Sequence, residues 1–187
     1  MAGNQLNVIV ICGSLRKGSY NAALARALPK LAPSTMTIVP APAFDGFPHY
    51  NHDLDVPADV IAFADAIRNA DGIIIVSPEY NWTIPGAMKN AFDWAGRFKE
   101  QPFTGKPVAI QSASGSAMAG SRMQYHLRQS LIPLDALCFG RPEVLVAEAK
   151  TKFDPNTLEL TDQAIIDVVK LQLAGFDEFI RRVTKKG

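Results

Sequence analysis

Gly13-Ser14-Leu15-Arg16-Lys17-Gly18-Ser19-Tyr20-Asn21 gathers hydroxyls, an amide and a guanidinium into one short stretch. It follows the apolar run Val8-Ile9-Val10-Ile11 and precedes an alanine-rich segment of helical character. A strand ending in glycine, a polar loop and a helix start make a phosphate cradle. The first N–H groups of a helix have no partner within it, and the aligned peptide dipoles add partial positive charge there. Ser14 and Ser19 can donate hydroxyl protons, Asn21 an amide proton, and Arg16 full charge. The stretch lacks both the dinucleotide fingerprint and the Gly-Lys-Ser/Thr end of a nucleoside-triphosphate loop, so a terminal monophosphate fits it better. The plain alternative is a polar turn with a capping serine. The density of donors at a strand end favours binding.

Two further loops carry chemistry. Ser77-Pro78-Glu79-Tyr80-Asn81-Trp82-Thr83-Ile84-Pro85-Gly86 sets two aromatics, an amide and a carboxylate between prolines, which lower the entropy lost on ordering. Such a loop can offer backbone groups to the edge of a flat heterocycle, with an aromatic body beside it. Alternatively, Tyr80 and Trp82 only cover the helix below. The third loop, Ser112 to Gly120, is built of small residues that let backbone approach a ring closely. By itself it reads equally as a flexible connection.

These loops need strands to end on and helices to begin. Asn7–Cys12 reads as the first strand, Asn21–Leu31 as a helix and Thr35–Val39 as a short second strand. Pro40 to Pro57 is a proline-rich irregular excursion. Ala58–Asn69 has Val60, Phe63, Ala64 and Ile67 at helical spacing, and Gly72–Val76 is a β-branched run suited to a central strand. Pro85 opens a helix carrying Met88, Ala91, Phe92 and Ala95 on one face. Pro107–Gln111 is a fourth strand and Ser121–Leu131 a fourth helix; Leu137–Val146 holds a fifth strand interrupted by Pro142. A last helix runs from about Asp162 to Val183. This alternation predicts an α/β fold: a doubly wound five-stranded parallel sheet, helices on both faces, in a single domain over 1–187. Ligands bind such sheets beyond the carboxyl ends of the strands, where strand order reverses.

A net charge of +1 argues against an electrostatic nucleic-acid binder, and Lys185-Lys186 is the lone basic block. The apolar runs are too short to span a bilayer, and the first strand begins too early to leave room for a signal peptide, so the expected location is cytoplasmic. Cys12 and Cys138 sit in strand-like runs as small core residues. No catalytic triad, paired-carboxylate set or zinc-ligand spacing is visible, which leaves catalytic side chains unassigned. His49 and His52 lie in the excursion as surface or pocket-lining groups, and His126 in a helix as a structural one.

Gly-Ser-Leu-Arg-Lys-Gly-Ser-Tyr-Asn at 13–21, Pro-Glu-Tyr-Asn-Trp at 78–82, Ile-Pro-Gly-Ala-Met-Lys-Asn-Ala-Phe-Asp-Trp at 84–94 and Gln-Tyr-His-Leu-Arg-Gln at 124–129 resemble the NADPH-dependent FMN reductase family, in its bacterial quinone and chromate reductase branch. The resemblance covers nearly the whole chain in order. It implies a flavodoxin-like fold, tightly bound FMN, and two-electron reduction of quinones and other acceptors by NAD(P)H. Chromate, azo compounds and ferric chelates are further acceptors open to an exposed flavin. It would place the FMN phosphate on Ser14, Arg16, Ser19 and Asn21, and the isoalloxazine ring against Pro78, Glu79, Tyr80, Asn81 and Trp82, with Ser114 approaching from the third loop. Two departures stand out: Trp82 replaces a smaller aromatic, and Met118-Ala119-Gly120 replaces a frequent glycine pair.

The resemblance also implies a homodimer or homotetramer, with Arg122, Tyr125 and Glu143 linking subunits and Met88, Phe92, Trp94 and Phe98 as surplus apolar surface. A plain core face is the alternative for those four. Small-molecule acceptors are the expected partners, with neither nucleic acid nor membrane. Two other readings remain beside the quinone reductase: a free-flavin reductase that releases reduced FMN, and a flavodoxin-type electron carrier. The near-neutral charge disfavours the carrier, which needs an acidic docking face. A receiver domain on the same fold would need an acidic cluster where this chain has Ser14 and Arg16.

Overall fold

Branched side chains crowd the pleat and pack well between two layers, so the valine–isoleucine runs become buried strands. β1 (Leu6–Cys12) and β3 (Gly72–Val76) lie at the centre, and every residue of β3 is buried. The computed structural model describes residues 5–184, so the Lys185-Lys186 block lies outside the described residues. The remaining elements are α1 (Tyr20–Leu31), β2 (Met36–Pro40), α2 (Ala58–Asn69), α3 (Gly86–Ala95), β4 (Pro107–Ala113), α4 (Ser121–Leu131), β5 (Leu137–Cys138), β6 (Val144–Val146) and α5 (Gln163–Thr184).

All pairings are parallel, in the order β2-β1-β3-β4, with β5 against the start of β4 and β6 against its end. This is the flavodoxin-like doubly wound order. The expected fifth strand is thus split. Between its halves Phe139 N–H still donates to Val108 O of β4 at 2.8 Å, while its ring meets Phe176 and Phe179 of α5 at separations of 5.8 and 5.4 Å.

Alternate residues of each strand feed opposite cores. Ile9, Ile11, Ile73 and Ile75 pack with Phe63 and Ile67 of α2 and Phe92 of α3, whereas Val8, Val10, Ile74 and Val76 pack with Leu24 and Leu28 of α1 and Phe176 and Ile180 of α5. The chain runs from β1 out to β2 and returns to β3 on the other side. The loops after β1, β3 and β4 therefore meet at one end of the sheet.

The surplus apolar surface expected on α3 does not exist. Met88, Phe92 and Trp94 are 0%, 3% and 2% exposed, and Phe98 packs against the same core. Phe103 meets Phe92 edge-on at 5.6 Å, and the Pro40–Pro57 excursion covers Trp94 and the neighbouring Phe63 of α2. Phe44 and Phe47 meet Phe63 at 5.9 and 5.7 Å, Tyr50 stands edge-on to Trp94 at 5.1 Å, and the Trp94 indole N–H donates to the Pro48 carbonyl at 2.8 Å. Asn90 fastens the same segment, donating to Pro48 O and accepting from Tyr50 N–H. Among the described residues no helix is long and apolar enough to cross a membrane.

Candidate active site

The loop between β1 and α1 is a bare-backbone concavity. Gly13 donates to Val76 O at 2.9 Å, and a Cβ there would stand 2.5 Å from Ser77 Oγ and 2.6 Å from Met88 Cε, so any side chain at this position would have to displace Ser77 and Met88. Among the described residues, the N–H groups of Ser14, Leu15, Arg16, Lys17 and Gly18 donate to no protein acceptor. The Arg16 and Lys17 side chains are exposed and likewise have no protein partner. A run of unpaired N–H groups with two cations beside it, entering a helix N-terminus, is an anion site.

Ser19 and Asn21 take a different part in it. Ser19 is the N-cap of α1, its Oγ accepting from Asn21 N–H at 3.1 Å and Ala22 N–H at 3.3 Å. Its hydroxyl proton remains to be given. The buried Asn21 amide clamps one residue of β4: Nδ2 donates to Ala113 O and Oδ1 accepts from Ala113 N–H, both at 2.8 Å. Asn21 thereby ties the β1 loop to the β4 loop and keeps a single amide hydrogen for other use.

After β3, Pro78 is buried and the chain closes a two-residue turn. Tyr80 N–H donates to Thr83 O at 3.1 Å, and Thr83 N–H to Tyr80 O at 3.0 Å. Asn81 and Trp82 both lie in the left-handed region, φ +49° and +66°. This geometry is normally made with Asn-Gly, so tryptophan in its second place carries strain of about 1–2 kcal/mol. The turn throws Trp82 outward, 71% exposed. α4 holds the turn from behind. Glu79 Oε2 accepts from Met123 N–H at 3.1 Å and Oε1 lies 3.5 Å from Arg122 Nη1, whose guanidinium sits 4.6 Å from the Trp82 ring centre. Thr83 Oγ1 meets His126 Nδ1. The Glu79 carboxylate is thus a cap for α4, while the N–H groups of Glu79, Asn81 and Trp82 have no protein acceptor among the described residues.

The β4 loop is pinned at both ends. Ser114 N–H donates to Val146 O at 3.0 Å, and Ser114 Oγ lies 3.2 Å from Ser116 Oγ. Ser112 Oγ donates to Ala119 O at 2.6 Å and accepts from Gln124 Nε2 at 2.8 Å. Ala119 and Gly120 both have positive φ, +52° and +82°, so alanine adopts the backbone expected of a glycine pair. A Cβ on Gly120 would lie 2.9 Å from the Ser112 side chain.

The remaining polar groups lie aside. His49 and His52 are exposed, with His52 Nδ1 3.5 Å from Tyr50 Oη. Burial pushes the Cys12 thiol above its usual range, against a backbone hydrogen bond from Ser14 and the Arg26 charge that pull it down; burial does the same to Cys138, opposed by Arg128. Sequence reasoning passed over Gln124, Gln111 and Gln172. Gln124 also donates to Val144 O at 2.9 Å, and Gln111 Nε2 donates to Gln172 Oε1 at 2.9 Å, tying β4 to β6 and α5. The available signal was a glutamine in an otherwise apolar strand or helix face.

Tested against FMN, the three loops fit: a donor-rich cradle for its phosphate, and a rigid turn with free N–H groups and aromatic surface for a ring. Similarity to known proteins agrees. The chain is 46% identical over 183 residues to a quinone reductase of Escherichia coli K12, covering 96% of this chain and 97% of that one. It is 41% identical over 183 residues to an NAD(P)H-dependent FMN reductase of Pseudomonas aeruginosa, covering 96% and 98%. Its fold matches FerB, a flavoenzyme NAD(P)H:(acceptor) oxidoreductase of Paracoccus denitrificans, with a TM-score of 0.86 at 30% identity, over 95% of this chain and 98% of that one. Residues 6–151 match the NADPH-dependent FMN reductase family, to which this chain belongs.

Proposed function

We propose that this chain reduces quinones by two electrons, using NAD(P)H through bound FMN. The oxidoreductase activity, the FMN cofactor and the NAD(P)H co-substrate come with the family. The carrying observation is the unpaired run of N–H groups from Ser14 to Gly18, which matches a phosphate monoester. In this reading Ser14, Arg16 and Ser19 hold the phosphate, and Asn21 builds the cradle and offers at most one further hydrogen. Pro78 to Trp82 border the ring, with Ser114 on the β4 side. FMN, when bound, supplies the electron-transfer chemistry, so no side chain needs to act as acid, base or nucleophile. The N–H groups of Glu79, Asn81 and Trp82 supply fixed donors toward negative charge on a heterocycle. The quinone substrate follows the Escherichia coli relative; chromate, azo compounds and ferric chelates enter only as further acceptors that the same reduced flavin would serve.

A homodimer or homotetramer belongs to the same proposal. Its support is exposed apolar surface on and beyond α4, namely Tyr125 and Ile132. Glu143 pairs within its own chain to Arg128 at 3.3 Å, and Arg122 to Glu79, so these two are already engaged. Light scattering decides: a monomer removes the proposal. Two free cysteines and dependence on NAD(P)H fit a cytoplasmic setting.

The test is a visible spectrum of purified protein, then anaerobic titration with NADPH and with NADH, then turnover with a quinone. A flavin band that survives gel filtration and bleaches with nucleotide, followed by quinone reduction without a partner protein, is expected. Flavin lost on the column with free FMN reduced indicates the free-flavin reductase, and bleaching without quinone turnover indicates the carrier.

A further inference from the structure

Beside the phosphate loop lies a second pocket, of about 490 Å³, at the ends of β1 and β2. Ala25 and Arg26 of α1 line one side, and Ala43, Phe44 and Asp45 of the excursion line the other. Leu15 belongs to both this pocket and the phosphate loop, so the two are adjacent. The Arg26 charge is felt at the Cys12 thiol, which lines the same pocket. Arg26 and Asp45 have opposite charges, yet among the described residues neither forms an ion pair or a hydrogen bond.

A ligand for such a pocket needs a flat apolar body, an anionic group and a hydrogen-bond donor. A quinone has neither charge nor donor and would leave both Arg26 and Asp45 unmatched. An adenosine phosphate has all three: purine faces, a phosphate and an exocyclic amine. Arginine suits phosphate because its planar fork matches the oxygens. Resting on the FMN reading above, we propose that this pocket is a subsite for the adenosine-phosphate half of a dinucleotide. Arg26 takes its phosphate and Asp45 its adenine amine, beside the phosphate loop. Two dinucleotides share that half: the NAD(P)H co-substrate, and FAD in place of FMN.

The experiment uses FMN-loaded protein and 5′-AMP as the probe, with binding read by calorimetry after the visible spectrum has been recorded. Saturable binding is expected, weakened about tenfold or more by Arg26→Gln, as loss of a charge-assisted hydrogen bond implies. Ala43→Trp, at an exposed loop position, fills the pocket and abolishes AMP binding, while the FMN content of both variants stays unchanged. Competition of AMP with NADPH in turnover then identifies the co-substrate as the source. Tighter binding of FAD than of FMN to apoprotein, with the difference erased by Arg26→Gln, identifies the flavin dinucleotide. Absence of AMP binding, binding indifferent to both variants, or binding with neither competition nor an FAD advantage overturns the proposal. A preparation that takes up no FMN refutes the parent reading instead, at the spectrum and before AMP is added.

Discussion

Substituting Asn21 separates building the phosphate site from filling it. In Asn21→Ala, the buried Ala113 N–H and C=O lose partners that each stand 2.8 Å away. Each orphaned backbone group costs about 1–3 kcal/mol, so the variant loses about 2–6 kcal/mol. That is a large share of an ordinary domain stability of about 5–15 kcal/mol. Urea unfolding of the FMN-free protein, followed by far-UV circular dichroism, measures it without the stabilising effect of a ligand. With a slope of about 1–3 kcal/mol per molar, even the smaller loss moves the midpoint down by about 1 M. Asn21→Asp keeps the acceptor for Ala113 N–H but turns a second oxygen toward Ala113 O, so it is also destabilised. An Asn21→Ala protein that unfolds at the wild-type midpoint with an unchanged slope refutes the clamp. If its FMN affinity has fallen all the same, Asn21 is a direct phosphate ligand.

Arg16→Ala gives the complementary result: an unchanged urea midpoint, because the exposed side chain touches no protein partner, and FMN binding weakened tenfold or more in a fluorescence titration. Cys12, whose thiol is held protonated by burial, reacts slowly with a disulfide reagent near neutral pH; its rate climbs only above the ordinary thiol range, and urea abolishes the protection. The Asp162 carboxylate is held below its usual range by the Lys152 ammonium at 2.8 Å and by Ile165 N–H at 3.0 Å. With the folded value depressed, its contribution is complete above the ordinary aspartate pKa and is lost as pH falls through the depressed one. Asp162→Asn therefore lowers the melting temperature at pH 7, and the difference from wild type shrinks below about pH 4.

The regular elements were legible wherever a local pattern decides them. The ranges read for Ala58–Asn69, Gly72–Val76 and Ser121–Leu131 coincide with those observed. Hydrophobic spacing and flanking breakers suffice there, since each element buries one face or two. Two features were not legible. The interruption of the fifth strand at Pro142 was read in the sequence, but the contact that Phe139 makes there with Phe176 and Phe179 of α5, dozens of residues away, was not. Trp94 read as surplus because the excursion that covers it has no periodicity of its own, and Phe92 because Phe103, which meets it edge-on, lies in an irregular turn. In the site, the positions of the loops followed from strand ends, but the work of single side chains did not. Glu79, read as bordering a ring, also caps α4 with its carboxylate, and Asn21, read as a phosphate donor, also clamps β4 across 92 residues of chain; neither second task was visible. Remote hydrogen bonds leave no trace in a local window.

The split of the last strand has a consequence for the protein in company. One rim of the sheet presents only a two-residue and a three-residue segment, broken between them by Pro142; the other rim is a five-residue strand that ends on Pro40. An unpaired rim is a template for a foreign strand only where it runs long and straight, and proline denies it a donor. Neither border here offers such a run. Crowded folded copies are thereby offered little template for edge-to-edge growth.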